Sequence, residues 1–118
     1  MATSPVQVQV FLKKLKSINP ATVTISNQKK TRDYLNSRDF ERVEVITYLY
    51  SLTEANFSYG PSQNDWGTGK VWTFGINVDN DLVYVKLCLT SIRNEHEMLC
   101  MSFHEAEHPL QFPFAKKK

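Results

Sequence analysis

The stretch 70–104, KVWTFGINVDNDLVYVKLCLTSIRNEHEMLCMSFH, contains three strand-like segments in which apolar and reactive side chains alternate. Successive side chains of a strand point to opposite faces, so each segment presents two different surfaces. Over 82–90, Val83, Val85, Leu87 and Leu89 alternate with Tyr84, Lys86 and Cys88; over 98–104, Leu99, Met101 and Phe103 alternate with Cys100, Ser102 and His104. One face reads as core and the other as a candidate site.

Register follows from the same period of two, because an antiparallel hairpin must bring its apolar faces together. A connection over 91–97 centred on Asn94 places Tyr84 opposite His104 and Lys86 opposite Ser102. Joining 71–78 to 82–90 through Asp79-Asn80-Asp81 sends Trp72, Phe74, Ile76 and Val78 to the core. Thr73, Gly75 and Asn77 then lie beside Lys86 and Tyr84, so a phenol, an imidazole, an ammonium and a hydroxyl share one patch.

At 118 residues with 42% hydrophobic content, the chain is expected to form one domain over 1–118, with a single core. No stretch approaches a transmembrane span, and residues 1–10 lack the basic start, apolar run and cleavage site of a secretory leader. The expectation is a cytoplasmic protein with no membrane partner. Cys88 and Cys100 fall nearly opposite each other on neighbouring strands, where a disulfide is conceivable and a reducing compartment would keep two thiols. Residues 1–50 hold eight Lys/Arg against four Asp/Glu, and residues 51–118 hold six against eight. A bound nucleic acid would therefore need the first half as well as the strands. The closing Lys116-Lys117-Lys118 adds charge or forms a solvated tail.

Ser4-Pro5 is a helix start, and Val8, Phe11, Leu12, Leu15 and Ile18 give one apolar helix face ending at Asn19-Pro20. Residues 22–26 read as a short strand, 28–36 as a polar helix capped by Asn27, and 39–52 as a second patterned helix. Residues 61–69, PSQNDWGTG, read as a mobile loop carrying Trp66. The order gives an α+β fold, an antiparallel sheet with the helices packed on one face.

His104-Glu105-Ala106-Glu107-His108 satisfies the H-E-x-x-H pattern of zinc hydrolases. That pattern needs a helix to bring both imidazoles to one metal, whereas here it continues a strand and meets Pro109. Extended chain sets the two imidazoles about 13 Å apart. No metal or other cofactor is expected. The patch of Tyr84, Lys86 and His104 instead suits acid–base chemistry on a phosphodiester. Attack by a ribose 2′-hydroxyl needs a base, a cation for the developing charge and an acid for the leaving oxygen. The 2′-hydroxyl would select RNA. Tyr59, Trp66 and Lys70, with Thr73 beside the patch, are candidates for holding substrate. The same residue types also occur on sheet faces that are merely solvated, so geometry must decide.

From Tyr48 onward the chain resembles the motility quorum-sensing regulator (MqsR) toxins, which have a RelE-like fold. The matching segments are Ser51-Leu52-Thr53-Glu54-Ala55-Asn56-Phe57, Val71-Trp72-Thr73, Val83-Tyr84-Val85-Lys86-Leu87 and Leu99-Cys100-Met101-Ser102-Phe103-His104-Glu105. The resemblance implies a metal-independent endoribonuclease acting on messenger RNA and restrained by a cognate antitoxin protein. Tyr84 matches the family's active-site tyrosine and Lys86 the lysine that follows it. The chain departs from the pattern at Ser58 and Tyr59, where the family has a lysine, at Thr73 in place of glutamine, and at His104 in place of the closing lysine. A noncatalytic RNA- or protein-binding module of the same fold is the alternative.

Overall fold

The β-branched and aromatic run at the centre of the chain forms a three-strand meander of β3 (Lys70–Val78), β4 (Asp81–Ile92) and β5 (Glu95–Glu105). It was described in a computed structural model covering residues 3–64, 67, 69–92 and 95–115. With β1 (Thr24–Ile25) and β2 (Phe57–Gln63), these strands form one sheet in the order β1-β5-β4-β3-β2. The sheet is mixed, not purely antiparallel: the two-residue β1 runs parallel to β5, pairing Thr24 with Leu99 and Ile25 with Cys100.

Three helices, α1 (Pro5–Ser17), α2 (Lys29–Ser37) and α3 (Arg42–Tyr50), pack on the apolar side of the sheet. Ser4 starts α1 with a capping box shared with Gln7, and Pro5 sits where a missing N–H costs nothing. Its buried stripe of Val8, Phe11, Leu12 and Leu15 meets the sheet, and Phe11 stacks on Trp72 at 4.6 Å between ring centres. Helix α2 begins one residue later than expected, with Gln28 and not Asn27 at its cap. Helix α3 is shorter than the 39–52 pattern, because Asp39 takes a φ of 54° and breaks the helix before Arg42. Tyr48 and Tyr50 pack against the core, and the Tyr50 hydroxyl donates to the Ile18 carbonyl at 2.6 Å.

Asp79 and Asn80, at φ 49° and 75°, make the tight β3–β4 turn, whose two central residues both need positive φ to match strand twist. This turn fixes the expected register: Trp72 faces Leu87, Phe74 faces Val85, Ile76 faces Val83 and Gly75 faces Tyr84. The loop expected over 61–69 begins inside β2, where Gly60–Pro61 is a cis peptide. Trp66 lies outside the described residues, as do Lys116, Lys117 and Lys118.

The β4–β5 pairing differs from expectation near the hairpin and agrees with it at the far end. Ile92 pairs with Glu95 and Leu87 with Cys100, one residue out of the register centred on Asn94, which itself lies outside the described residues. A bulge then inserts Met101, after which Lys86 pairs with Ser102 and Tyr84 with His104. The extra residue inverts the facing of β5. Met98 and Cys100 join Phe103 in the core, while Leu99 and Met101, expected there, are only half-buried.

The same inversion separates the cysteines. Cys100 lies in the helix-side core and Cys88 lies across the sheet beside Asn64, and no disulfide joins the two. Burial raises both pKa values, pushing that of Cys100 up to about 12. The thiolate is the reactive form, so iodoacetamide at pH 8 is expected to leave both thiols unmodified in the folded protein and to label both in urea. Rapid labelling of Cys100 without denaturant, read by mass spectrometry, would contradict this placement.

Candidate functional site

On the sheet face away from the helices, Tyr84 and His104 sit side by side, with ring centres 5.5 Å apart at 41°. Both belong to the register that follows the bulge. Lys86 lies one pleat further along β4, its Nζ 5.9 Å from the centre of the Tyr84 ring. From β2, Tyr59 comes into register with Thr73 and brings its hydroxyl to 3.1 Å from the Tyr84 hydroxyl. Together these four line a cavity of about 370 Å³, whose wall also includes Gln28 and Lys30.

The open edge of β5 beyond β1 is held by α2. Thr31, fully buried, accepts the Phe103 N–H at 3.0 Å and donates to Gln28 Oε1 at 3.4 Å. Ser102 Oγ donates to the same Gln28 oxygen at 3.2 Å. An unpaired strand edge thus finds its partners in side chains, and the residues flanking His104 are fixed.

His104 retains only 8% of its exposure. Its Nδ1 lies 3.0 Å from the Glu105 carbonyl oxygen, which can only accept, so Nδ1 carries the proton and Nε2 is the basic nitrogen. Burial raises the Tyr84 pKa far above that of an ordinary tyrosine, and the hydrogen bond with Tyr59 raises it further. The neighbouring Thr73 works in the opposite sense. The Tyr84 phenol therefore stays protonated across the physiological range and can act as a donor.

Residues after β5 supply the remaining wall. The Ala106 N–H donates to the Leu82 carbonyl at 2.8 Å, carrying the β4–β5 ladder one step further before the chain bends at 107–108. Leu110 and Phe112 lie directly over Gly75, where a Cβ would stand 2.8 Å and 2.7 Å from them, so a larger residue would have to push these side chains aside. Phe114 ends the strap by stacking on Phe57 at 5.5 Å and 12°. Glu107 pairs with Lys30 of α2 across the cavity mouth.

Of the residues expected to hold substrate, Tyr59 lines the cavity and is 49% exposed. Thr73 is on the right face but fully buried beneath Tyr84, so it can act only through its neighbours. Lys70 does not join the cavity, because strand parity gives it the face of Trp72 and Phe74. Trp66 is outside the described residues. The stretch 104–108 is strand end and then loop, so its two histidines do not share a helical face. Among the described residues no group of three or more His, Cys, Asp or Glu is placed to hold a metal ion.

The strap and the α2 side of the cavity lie outside the site expected from the sequence. The alternation of Leu110, Phe112 and Phe114 was the available signal for an extended segment packed on one side. Nothing local marks Gln28 or Lys30, which arrive from a distant helix. A larger depression of about 750 Å³ beside β2 and Phe114 has Tyr59 as its one titratable side chain among the described residues. Chemistry, not volume, distinguishes the smaller cavity.

No model of a known protein family matches this chain, and neither a characterised protein nor a solved structure does.

Two outcomes follow from the buried hydroxyls. Thr73 Oγ1 is buried without a well-formed hydrogen bond, so Thr73→Val is expected to change unfolding free energy by no more than about 0.5 kcal/mol, or to stabilise. A loss above about 1 kcal/mol in urea denaturation would reveal a Thr73–Tyr84 bond of real worth. Tyr34, Tyr50 and Tyr84 all have raised pKa values through burial. The unfolded chain loses these protons first, near the usual tyrosine value of about 10, so stability is full below that pH and falls as pH rises above it. The urea midpoint should drop above this value, less steeply in Tyr84→Phe; identical profiles would rule out a raised Tyr84.

Proposed function

We propose that this chain is a toxin-type endoribonuclease of RelE-like fold, cleaving messenger RNA in the cytoplasm without a metal and restrained by an antitoxin protein. The observation that supports this most is the cross-strand apposition of Tyr84 and His104 in a cavity that Lys86 also lines. Resemblance to the MqsR toxins selects Tyr84 and Lys86 on sequence grounds, and the strand register brings them to His104.

In this reading His104 Nε2 takes the proton of the ribose 2′-hydroxyl, whose oxygen attacks the adjacent phosphorus. The Lys86 ammonium stabilises the charge that grows on the phosphoryl oxygens. Tyr84, kept protonated by its surroundings, donates to the departing 5′-oxygen, and Tyr59 shares its proton network. The products are a 2′,3′-cyclic phosphate and a 5′-hydroxyl. Half-exposed Tyr59 also offers a ring on which a base can stack.

The low exposure of His104 and the strap over the cavity favour a second reading, a module that binds RNA without cutting it. One experiment separates the two. Wild type, His104→Ala and Lys86→Ala are incubated with single-stranded RNA in excess EDTA, with cleavage read on a gel and binding by anisotropy. Wild-type cleavage that falls about 10²- to 10⁴-fold in His104→Ala, with binding retained, supports the nuclease. Binding without cleavage in all three supports the module. Cleavage abolished by EDTA would overturn the metal-independent mechanism.

A further inference from the structure

We infer that Lys30 is a phosphate subsite of this cavity, occupied in the free protein by the Glu107 carboxylate, so that the strap segment 107–111 acts as an internal substitute for the incoming polyanion. The inference rests on the reading of the cavity as an RNA site and adds how access to it is controlled.

Three observations carry it. First, among the described residues lining the cavity, Lys30 and Lys86 are the lysines and Glu107 is the carboxylate. An RNA phosphate entering the cavity therefore finds one cation facing it and the other already engaged. Second, the strap is fixed at both ends and lightly tied between them. Ala106 is bonded to Leu82 at one end, and Phe112 over Gly75 with Phe114 on Phe57 secure the other. Glu107, His108 and Pro109 between these anchors are exposed, and Glu107 is tied to α2 through Lys30.

Third, the tie is of the kind that an anion can displace. The Lys30 and Glu107 side chains keep 58% and 55% of their exposure, and ion pairs this open to solvent are weak. The lysine holds the Glu107 carboxyl below its usual pKa, so the group remains an anion at neutral pH. A phosphodiester carries the same charge and offers Lys30 the same kind of acceptor oxygen. Exchange of one for the other frees the rim of the cavity while the aromatic anchors keep the strap attached.

The test is a double-variant cycle on the full chain. Anisotropy titrations of a fluorescent 2′-O-methyl RNA, which cannot undergo 2′-hydroxyl attack, are made with wild type, E107Q, K30Q and the K30Q/E107Q double variant. E107Q is expected to tighten binding about two- to fivefold, the range an exposed ion pair allows. K30Q should weaken binding and lower the slope of log affinity against log salt by about one. The double variant should bind as K30Q does, because without the lysine there is nothing for the carboxylate to block. Equal tightening by E107Q with or without K30Q would reduce Glu107 to general repulsion and overturn the inference.

Failure of the RNA reading looks different. If no variant binds RNA, sodium tripolyphosphate replaces it as the probe. The same Lys30-dependent effect of E107Q on that ligand upholds the subsite while the nuclease reading falls. No binding of RNA together with no such effect on tripolyphosphate overturns both.

Discussion

The pairing of β4 with β5, and the single extra residue within it, is the constraint on which the rest of this structure depends. From the hairpin end, where Ile92 faces Glu95, an unbroken ladder would carry Tyr84 to Phe103 and turn a large aromatic away from the core. Met101 absorbs the offset. Beyond it Phe103 returns to the helix side, where it packs against Tyr34 and Tyr48, and His104 arrives beside Tyr84. Burial of Phe103 therefore enforces the position of His104. A bulge costs one unpaired residue and bends the strand, and such features commonly re-aim a side chain next to a site.

The two faces of the sheet do different work. Helix-side burial of Phe74, Val83, Val85, Leu87 and Phe103 supplies the apolar contact that holds the sheet in place. The opposite face buries polar and titratable groups, including Thr73, Ser102 and His104, and a strap crosses it over Gly75. Burial without full polar compensation keeps Tyr84 protonated and leaves Thr73 without a well-formed bond. Such a surface is costly for stability alone, and perturbed groups gathered in a cleft are a physical reason to look for function there.

Much of the sheet was legible because strand parity is a strong signal when one face is buried. Val83, Val85 and Leu87 alternate without interruption, and the Asp79-Asn80 turn fixes the register of β3 against β4, so Gly75 and Thr73 could be placed beside Tyr84 and Lys86. The bulge was not legible, since Leu99, Cys100 and Met101 are all apolar enough to face the core and give parity nothing to choose between. The expected pairing of Tyr84 with His104 was reached from a hairpin centre one half-residue away from the observed one, and Met101 made up the difference. Lys70 was assigned to the site by proximity in sequence, where parity points it to the other face. Parallel pairing of β1, the α2 residues at the cavity and the strap all depend on long-range contacts that no local pattern encodes.

Nuclear Overhauser measurements on isotopically labelled protein test the register most directly. Cross-strand contacts are expected between the backbones of Tyr84 and His104 and of Leu87 and Cys100, together with contacts between the Tyr84 and His104 rings. Contacts from Tyr84 to Phe103 across the strands, with His104 free of the Tyr84 ring, would mean an unbulged ladder and would remove the imidazole from the cavity.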